Sequence, residues 1–579
     1  MRSGKGGRNI AVVHPLKRIG IWIPVALALL LPGCSSVPPA QKEAPDKHDA
    51  AALTVVAEIA LKRGDCKEAS ETYAKAADIG TAVSLARRAS EVSLACEQLP
   101  AAWQAANRWR ALVPDDKVAT ATYAAVAIKL YRLPEAQRAV GDFARAEGGL
   151  PELAALLLDH GDAVTVLKVM SGALEPAGPS ADTLSLLGEL SLDAYDAQRA
   201  EDYSDEALKQ DPRSIPSRRV LARAYVMRGN AAKAIATARE TMNMDPLRGA
   251  FELADVLTTL DRVEEAHREL ERLRSTNAPT GDIDRRLALL AYDSGDFDEA
   301  EKRFAGLAGG NDSNDAALLY LADIAARDGD TDAALAGYRK LADSTVALSA
   351  RSRAASLLLT KKDRAGALSL LDEYATAHPE SEFDLTLAKA RLLADHGDAE
   401  GGLTFLSAEL QTHPGHPSIE YDRAVILEQA GKVQESVGLL ESLLVQRPDD
   451  PVLTNALGYT LADHNLELPR AETLIRRALA SSPDSPAILD SLAWARYRQG
   501  DAKAAVPLLA RAYSIQHDAE IAAHWGEVLW ASGSQQEARR VWIAALARDP
   551  DSEPLKATLT RFVPGANTTH IPPPVHMRR

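Results

Sequence analysis

The chain has 579 residues, of which 46% are hydrophobic, 25% charged and only 5% aromatic. This is a globular balance whose core must be built mainly from Ala and Leu, and it favours helices. A net charge of −15 excludes nucleic-acid binding, which rests on phosphate neutralisation, and membrane binding through a basic face.

In chain order, Arg2, Lys5, Arg8, Lys17 and Arg18 precede an apolar run from Ile19 to Leu31. That run has the length of a signal h-region and is too short to span a bilayer. It ends Leu31-Pro32-Gly33-Cys34-Ser35, which resembles the lipobox of bacterial lipoproteins, with Pro32 in place of the usual small residue. The resemblance implies a signal peptide over 1–33, cleavage before Cys34 and a diacylglycerol on its thiol. Loss of 1–33 takes the net charge to −20, and a multi-acyl anchor is stable where a single chain is marginal. Ser35 is not the Asp that commonly signals inner-membrane retention, so the expected location is the periplasmic face of the outer membrane. Residues 34–50 lack an apolar pattern and read as a lipidated, disordered tether.

From residue 51 one pattern recurs. A helix carries a small residue near its middle, a turn follows, and a second helix carries Ala about twelve residues on. The central residues run from Ala57 and Ser90 through Ala124, Ala254 and Gly458 to Ala493 and Gly526, mostly 33–35 residues apart. The matching second ladder includes Ala69, Ala234, Ala367 and Ala538; only Val166, Gly402 and Ser436 break it. A period near 34 is that of tetratricopeptide (TPR) helical hairpins. The physical reason is close approach, because antiparallel helices meet tightly only where the crossing side chains are small. The predicted fold is all-α: an α-α superhelix of about fifteen hairpins, capped by a helix over 554–562. The short step from Ala124 to Ala154, Gly148-Gly149 and the EPAGPS stretch at 175–180 divide an arm, 51–147, from a main array, 148–562. Residues 563–579 read as a disordered tail.

No catalytic, nucleotide-binding or metal-binding motif is present. Asp296/Asp298 and Asp330/Asp332 fall on hairpin turns, where Asp caps the second helix. His413 and His416 bracket a turn without a third ligand nearby. The expectation is a binding protein, not an enzyme, with no cofactor and no small-molecule substrate.

In a TPR array the first helix of each hairpin lines the concave face. Positions three before, one after and four after the central small residue share that face. They place Asn455 and Tyr459, then Asp490, Trp494 and Tyr497, then Glu527 and Trp530 as partner-binding candidates. Farther back, Arg219 and Arg223 form a basic pair. Cys66 and Cys96 stand at the start of one helix and near the end of its antiparallel neighbour, on one edge of the stack. In an oxidising periplasm a disulfide between them is expected.

The stretches NALGYTLADHNLELPRAETLIRRAL, SPAILDSLAWARYRQGD and AAHWGEVLWASGSQQEARRVWIAAL, with EIALKRGDCKEASETYAKAA and the lipobox, resemble a proteobacterial family of outer-membrane TPR lipoproteins. Its known type is the adaptor of a periplasmic carboxyl-terminal processing protease. The resemblance implies protein partners: that serine protease and its peptidoglycan-hydrolase substrates. The alternative is a passive scaffold for an envelope assembly or secretion complex.

Overall fold

The computed structural model describes residues 49–145, 148–276, 280–309, 315–378, 381–549 and 552–563. The signal peptide, Cys34, nearly all of the tether and residues 564–579 lie outside these. Among the described residues there are 31 α-helices, from Ala50–Lys62 to Glu553–Phe562, and no strand. They pair into fifteen consecutive hairpins, and Glu553–Phe562 follows the last as a cap.

Every crossing position of the sequence ladder is buried, from Ala57 and Ala69 to Ala493 and Ala538. The three breaks in the second ladder, Val166, Gly402 and Ser436, are buried too. At Gly402 the reason for the break is geometric: a Cβ there would lie 2.5 Å from the carbonyl oxygen of Ala390. A Cβ on Gly526 would lie 2.0 Å from Nε1 of the fully buried Trp542. Hairpin turns repeat one device. At Asp65, Asp296, Asp330 and Asp398 the residue after Gly or Ser-Gly caps the second helix by accepting a backbone N–H, which satisfies one of the donors every helix start leaves over.

Contacts divide the described chain between Ala119 and Thr120, one hairpin before the joint read from the sequence. In the first unit, helices Ala50–Lys62, Cys66–Ile79, Val83–Ala95 and Leu99–Leu112 pack round Tyr73 and Trp109. Cys66 begins the second of these and Cys96 caps the third. They form a disulfide with Cα atoms 5.5 Å apart.

The second unit starts irregularly. Helix Ala163–Leu174 packs more closely on Leu133–Ala144 than on its own hairpin partner Leu150–His160. Gly148 and Gly149, both at positive φ, precede that partner. Beyond Ala181, at several steps the first helices of neighbouring hairpins pack on one another, as Ala181–Asp193 on Ile215–Met227 and Pro451–Asp463 on Pro486–Arg498, and among the described residues no pair of second helices packs as closely. First helices therefore lie on the inside of a bend. The bend carries the array back onto itself. The backbone N–H of Asp484 donates to the carbonyl of Tyr195 (2.9 Å), and the Asp484 carboxylate accepts from the backbone N–H of Ala197 (3.0 Å). Arg548 pairs with Asp261, and Arg327 donates to the carbonyl of Arg548 (3.0 Å). Lys168 meets Asp449 at 3.7 Å, and the Arg447 guanidinium stands 5.9 Å over the Tyr131 ring. Partners 287 residues apart are separated by roughly eight repeats of about 34 residues, which is one turn of the superhelix.

The seam joins hairpin turns on one side to inter-repeat loops on the other. Tyr131, Tyr195 and Asp261 all hold positive φ, where other hairpins use Gly; a non-Gly residue there is uncommon. Asp484 is buried, 3% exposed, so its contacts are shielded from water.

Two outcomes follow from this packing. Replacing Cys66 and Cys96 by Ala should lower the stability of the first unit by about 3 kcal/mol, since the bond closes a loop of about thirty residues; thermal melts with and without reductant check it, and the reductant should shift only the wild type. Asp484→Ala should cost about 1–2 kcal/mol at the seam. It should raise amide exchange at Tyr195–Arg199 and enlarge the scattering radius while helical ellipticity stays unchanged.

Candidate protein-binding face

Side chains on the first helices of the second unit lie in a concavity. Asp193, Asp255 and Asp293 are exposed to solvent, yet burial among neighbouring groups pushes each carboxyl above its ordinary range. Arg223 opposes this at Asp193 and Arg286 at Asp255. A group that water reaches but protein surrounds sits inside a curved wall, as the closer packing of first helices requires.

A pairing rule runs along that wall. The residue after the central small position of one hairpin meets the residue two before it on the next. Asp255 pairs with Arg286, Asp323 with Arg353, Arg391 with Asp422 (2.7 Å), and Trp494 stacks on His524 with ring centroids 4.1 Å apart. In the first unit Glu58 and Arg88 obey the same rule at 3.3 Å. These rungs tie five pairs of neighbouring hairpins, four of them through opposite charges.

The sequence candidates divide on this frame. Arg219 is bound to Glu189. Arg223 is exposed and makes no hydrogen bond or ion pair among the described residues, although it acts electrostatically on Asp193, Glu252 and Asp255. Asn455 and Tyr459 are half-buried. Burial, then the charges of Glu520, Asp463, Asp490 and Glu428, hold the Tyr459 phenol well above its usual range.

Trp494 and Asp490 are not open to a partner as the sequence suggested; both are 6% exposed. The Trp494 indole N–H donates to Asp463 (2.9 Å), and both Asp490 oxygens lie 3.0 Å from His524 Nδ1. Trp530 stacks against Trp542 and Phe562, each at 5.8 Å, so it helps seat the capping helix. The phenol of Tyr497 donates to Glu527 (3.3 Å), which Arg561 of the cap also holds. The aromatic cluster chosen for binding is therefore largely the packing of the last three hairpins. Position alone could not distinguish a wall from a contact, because His524 and the cap cover it.

The sequence pattern missed residues just outside its three chosen positions. Glu252 and His524 stand two before the central residue, and Asp193 and Asp293 five after it. The signal was present in the alternating charge at those two offsets.

His524 is the most perturbed base of the face. Burial works to lower its pKa, but the charge and hydrogen bond of Asp490, with Glu520 and Glu527, carry it up to about 9. Glu428, Asp463 and His464 bring ligand atoms within 4.8 Å of one another. Asp463 is already held by Trp494 and lies 3.7 Å from the Arg498 guanidinium, so a cation there would meet a positive neighbour, and a hydrogen-bonded cluster explains the geometry.

A histidine with a raised folded pKa stabilises fully below its unfolded value and loses that contribution as pH rises through the folded one. The window here runs from about 6.5 to 9, and the contribution is about 2–3 kcal/mol. Asp490→Asn should lower the melting temperature near neutral pH, and the gap from wild type should close as pH rises toward about 9. A pH series of calorimetric scans measures it, with His524→Gln expected to give the same slope.

The tetratricopeptide-repeat family matches residues 285–345, 387–451 and 456–520. The TPR repeat-containing protein PA4667 of Pseudomonas aeruginosa is 32% identical over 213 residues, which cover 37% of this chain and 36% of that protein. Among solved structures, the APC/C hetero-tetramer Cut9–Hcn1 aligns over 88% of this chain and 96% of its own at 15% identity and a TM-score of 0.29. A TPR protein of Thermus thermophilus aligns over 30% of this chain and 96% of its own at 19% identity, also with a TM-score of 0.29. The chain is thus an all-α array of helical hairpins, and within it residues 285–345, 387–451 and 456–520 carry tetratricopeptide repeats, which imply a protein-binding scaffold.

Proposed function

We propose that the chain is a periplasmic adaptor, anchored in the outer membrane through Cys34, whose inner face binds a carboxyl-terminal processing protease and presents peptidoglycan hydrolases to it. The observation that carries the reading is the pairing of a lipobox with a solenoid whose first helices, in the second unit, line a concave wall. The wall offers many side chains to a partner, as suits a protein that gathers others. The likeness of residues 451–550 to outer-membrane TPR lipoproteins supports the choice of partners. Arg223, Tyr459 and Asn455, the candidates that remain accessible, provide points of contact. Lipidation would hold such a scaffold near the cell wall, where its clients act.

The experiment is affinity purification of the native lipoprotein from envelope extracts, with intact-mass analysis of the purified chain. The mass should show loss of 1–33 and acyl addition at Cys34. A carboxyl-terminal processing protease and a cell-wall hydrolase should co-purify and survive washing. Recovery of an envelope assembly without any protease would favour the passive scaffold, and a soluble chain cut elsewhere would overturn the anchor.

A further inference from the structure

Where both positions of the pairing rule carry opposite charges, one rung of the second unit stays open. By position, Arg223 on helix Ile215–Met227 should pair with Glu252 on helix Pro246–Thr259, as Asp255 does with Arg286 one hairpin later. It does not. Glu252 is 7% exposed, and its carboxylate has no hydrogen-bond or ion-pair partner among the described residues. Burying a carboxylate without a partner is costly, and proteins avoid it unless something else relieves the cost.

The cations at hand do not suffice. Arg219 is taken by Glu189, and Arg286 by Asp255. Arg219 still acts on Glu252 and Asp255 from within its own pair, and Arg223, which has no ion-pair partner among the described residues, is shared among Asp193, Glu252 and Asp255. Farther along the same wall Asp293 is exposed and also lacks an ion-pair partner among the described residues. Beside Glu252, the Phe251 ring already has the Arg286 guanidinium 4.4 Å from its centre, so the place favours cations by ring as well as by charge.

We propose that the inner face around Glu252 seats a lysine or arginine side chain from an extended segment of a partner protein. The inference rests on the reading that this face binds protein, and it names the chemistry of what is bound. A partner's ammonium or guanidinium would supply the missing charge beside Asp255, and would free Arg223 to serve Asp193. An acidic segment would meet Glu252 and Asp255 and be rejected.

The same geometry makes recognition depend on pH. Burial pushes the Glu252 carboxyl up to about 7. Arg219 and Arg223 from the preceding first helix oppose that rise, Asp255 on its own helix adds to it, and no charge from the adjoining helices Ala231–Met244 and Val263–Arg274 acts on it. Between about pH 6 and pH 8 the ionised fraction of such a group rises about tenfold. A cationic side chain needs the ionised form.

The test uses the full chain and two fluorescein-labelled extended peptides, one alternating Lys with Ser and one alternating Glu with Ser, followed by anisotropy at low ionic strength. The Lys peptide should bind and the Glu peptide should not. Affinity for the Lys peptide should rise about tenfold from about pH 6 to pH 8. Glu252→Gln should lower it roughly five- to tenfold at the higher pH and flatten the pH response. Asp193→Asn, an exposed and fold-neutral change, should lower it about twofold, and Arg223→Ala, which removes the internal competitor, should raise it. Equal binding of the two peptides, or a wild-type pH response in the Gln variant, overturns the proposal. Binding in the peptide assay is independent of capture from envelope extracts. Capture without Lys-peptide selectivity would remove this inference alone, and selectivity without a captured protease would remove the adaptor reading alone.

Discussion

The rest of this structure depends on how closely two helices of a hairpin can approach. At Gly402 the opposing backbone carbonyl occupies the space a Cβ would need, and at Gly526 the indole of Trp542 does. Elsewhere Ala is typically the largest residue the crossing admits, and the crossing Ala residues are essentially inaccessible. Interiors pack at crystal-like density, so a constraint of this kind propagates. Fixing the crossing fixes the hairpin, and a fixed hairpin presents the same flank to its neighbour each time. That is why a single period governs the chain while the residues between crossings vary freely.

Curvature follows from the same repetition. Beyond Ala181, where helices of neighbouring hairpins pack on one another the first helices do so more closely than the second, and small bends added along the array close a turn. When the turn closes, helix ends meet helix ends. Each helix leaves unsatisfied N–H groups at its start and carbonyls at its finish, and the seam uses both. Asp484 accepts from the first N–H of helix Ala197–Gln210, and Arg327 donates to the last carbonyl of Gln535–Arg548. Such contacts are few beside the hairpin cores, so the seam shapes the lumen more than it stabilises the fold. The cavity of about 330 Å³ at its edge, lined by Tyr131, Lys168 and Arg477 among others, is a product of that closure.

The hairpins were legible because their signal is local and periodic: the spacing from Ala222 to Ala254 to Ala288 needs no knowledge of the third dimension. The seam was not legible. Asp484 sits in a Ser-Pro-Asp-Ser-Pro loop that reads as an ordinary turn, and nothing in the sequence ties it to Tyr195, far upstream. The candidate face was legible in outline only. Positions three before, one after and four after the crossing selected Arg223, which is exposed, and Tyr459, which is half-buried. They also selected Trp494 and Trp530, whose exposure is decided by His524 and Phe562 on neighbouring elements. Helical periodicity states which way a residue points; what covers it belongs to the next repeat.

Charge pairing along the wall carries a consequence for recognition. A ligand that approaches Asp323 or Asp422 must break an existing pair with Arg353 or Arg391, and the gain is offset by the cation left behind. A ligand at an open rung breaks nothing. Selectivity on such a surface is therefore set less by the total charge, which is spread over many repeats, than by the few positions where pairing fails. Between Asp193 and Asp255 the failure is specific: the buried carboxylate of Glu252 has lost its expected partner while a single guanidinium is shared among its neighbours. A wall whose opposed charges pair at three rungs and fail at the Arg223–Glu252 rung would discriminate partners by what they carry to that place.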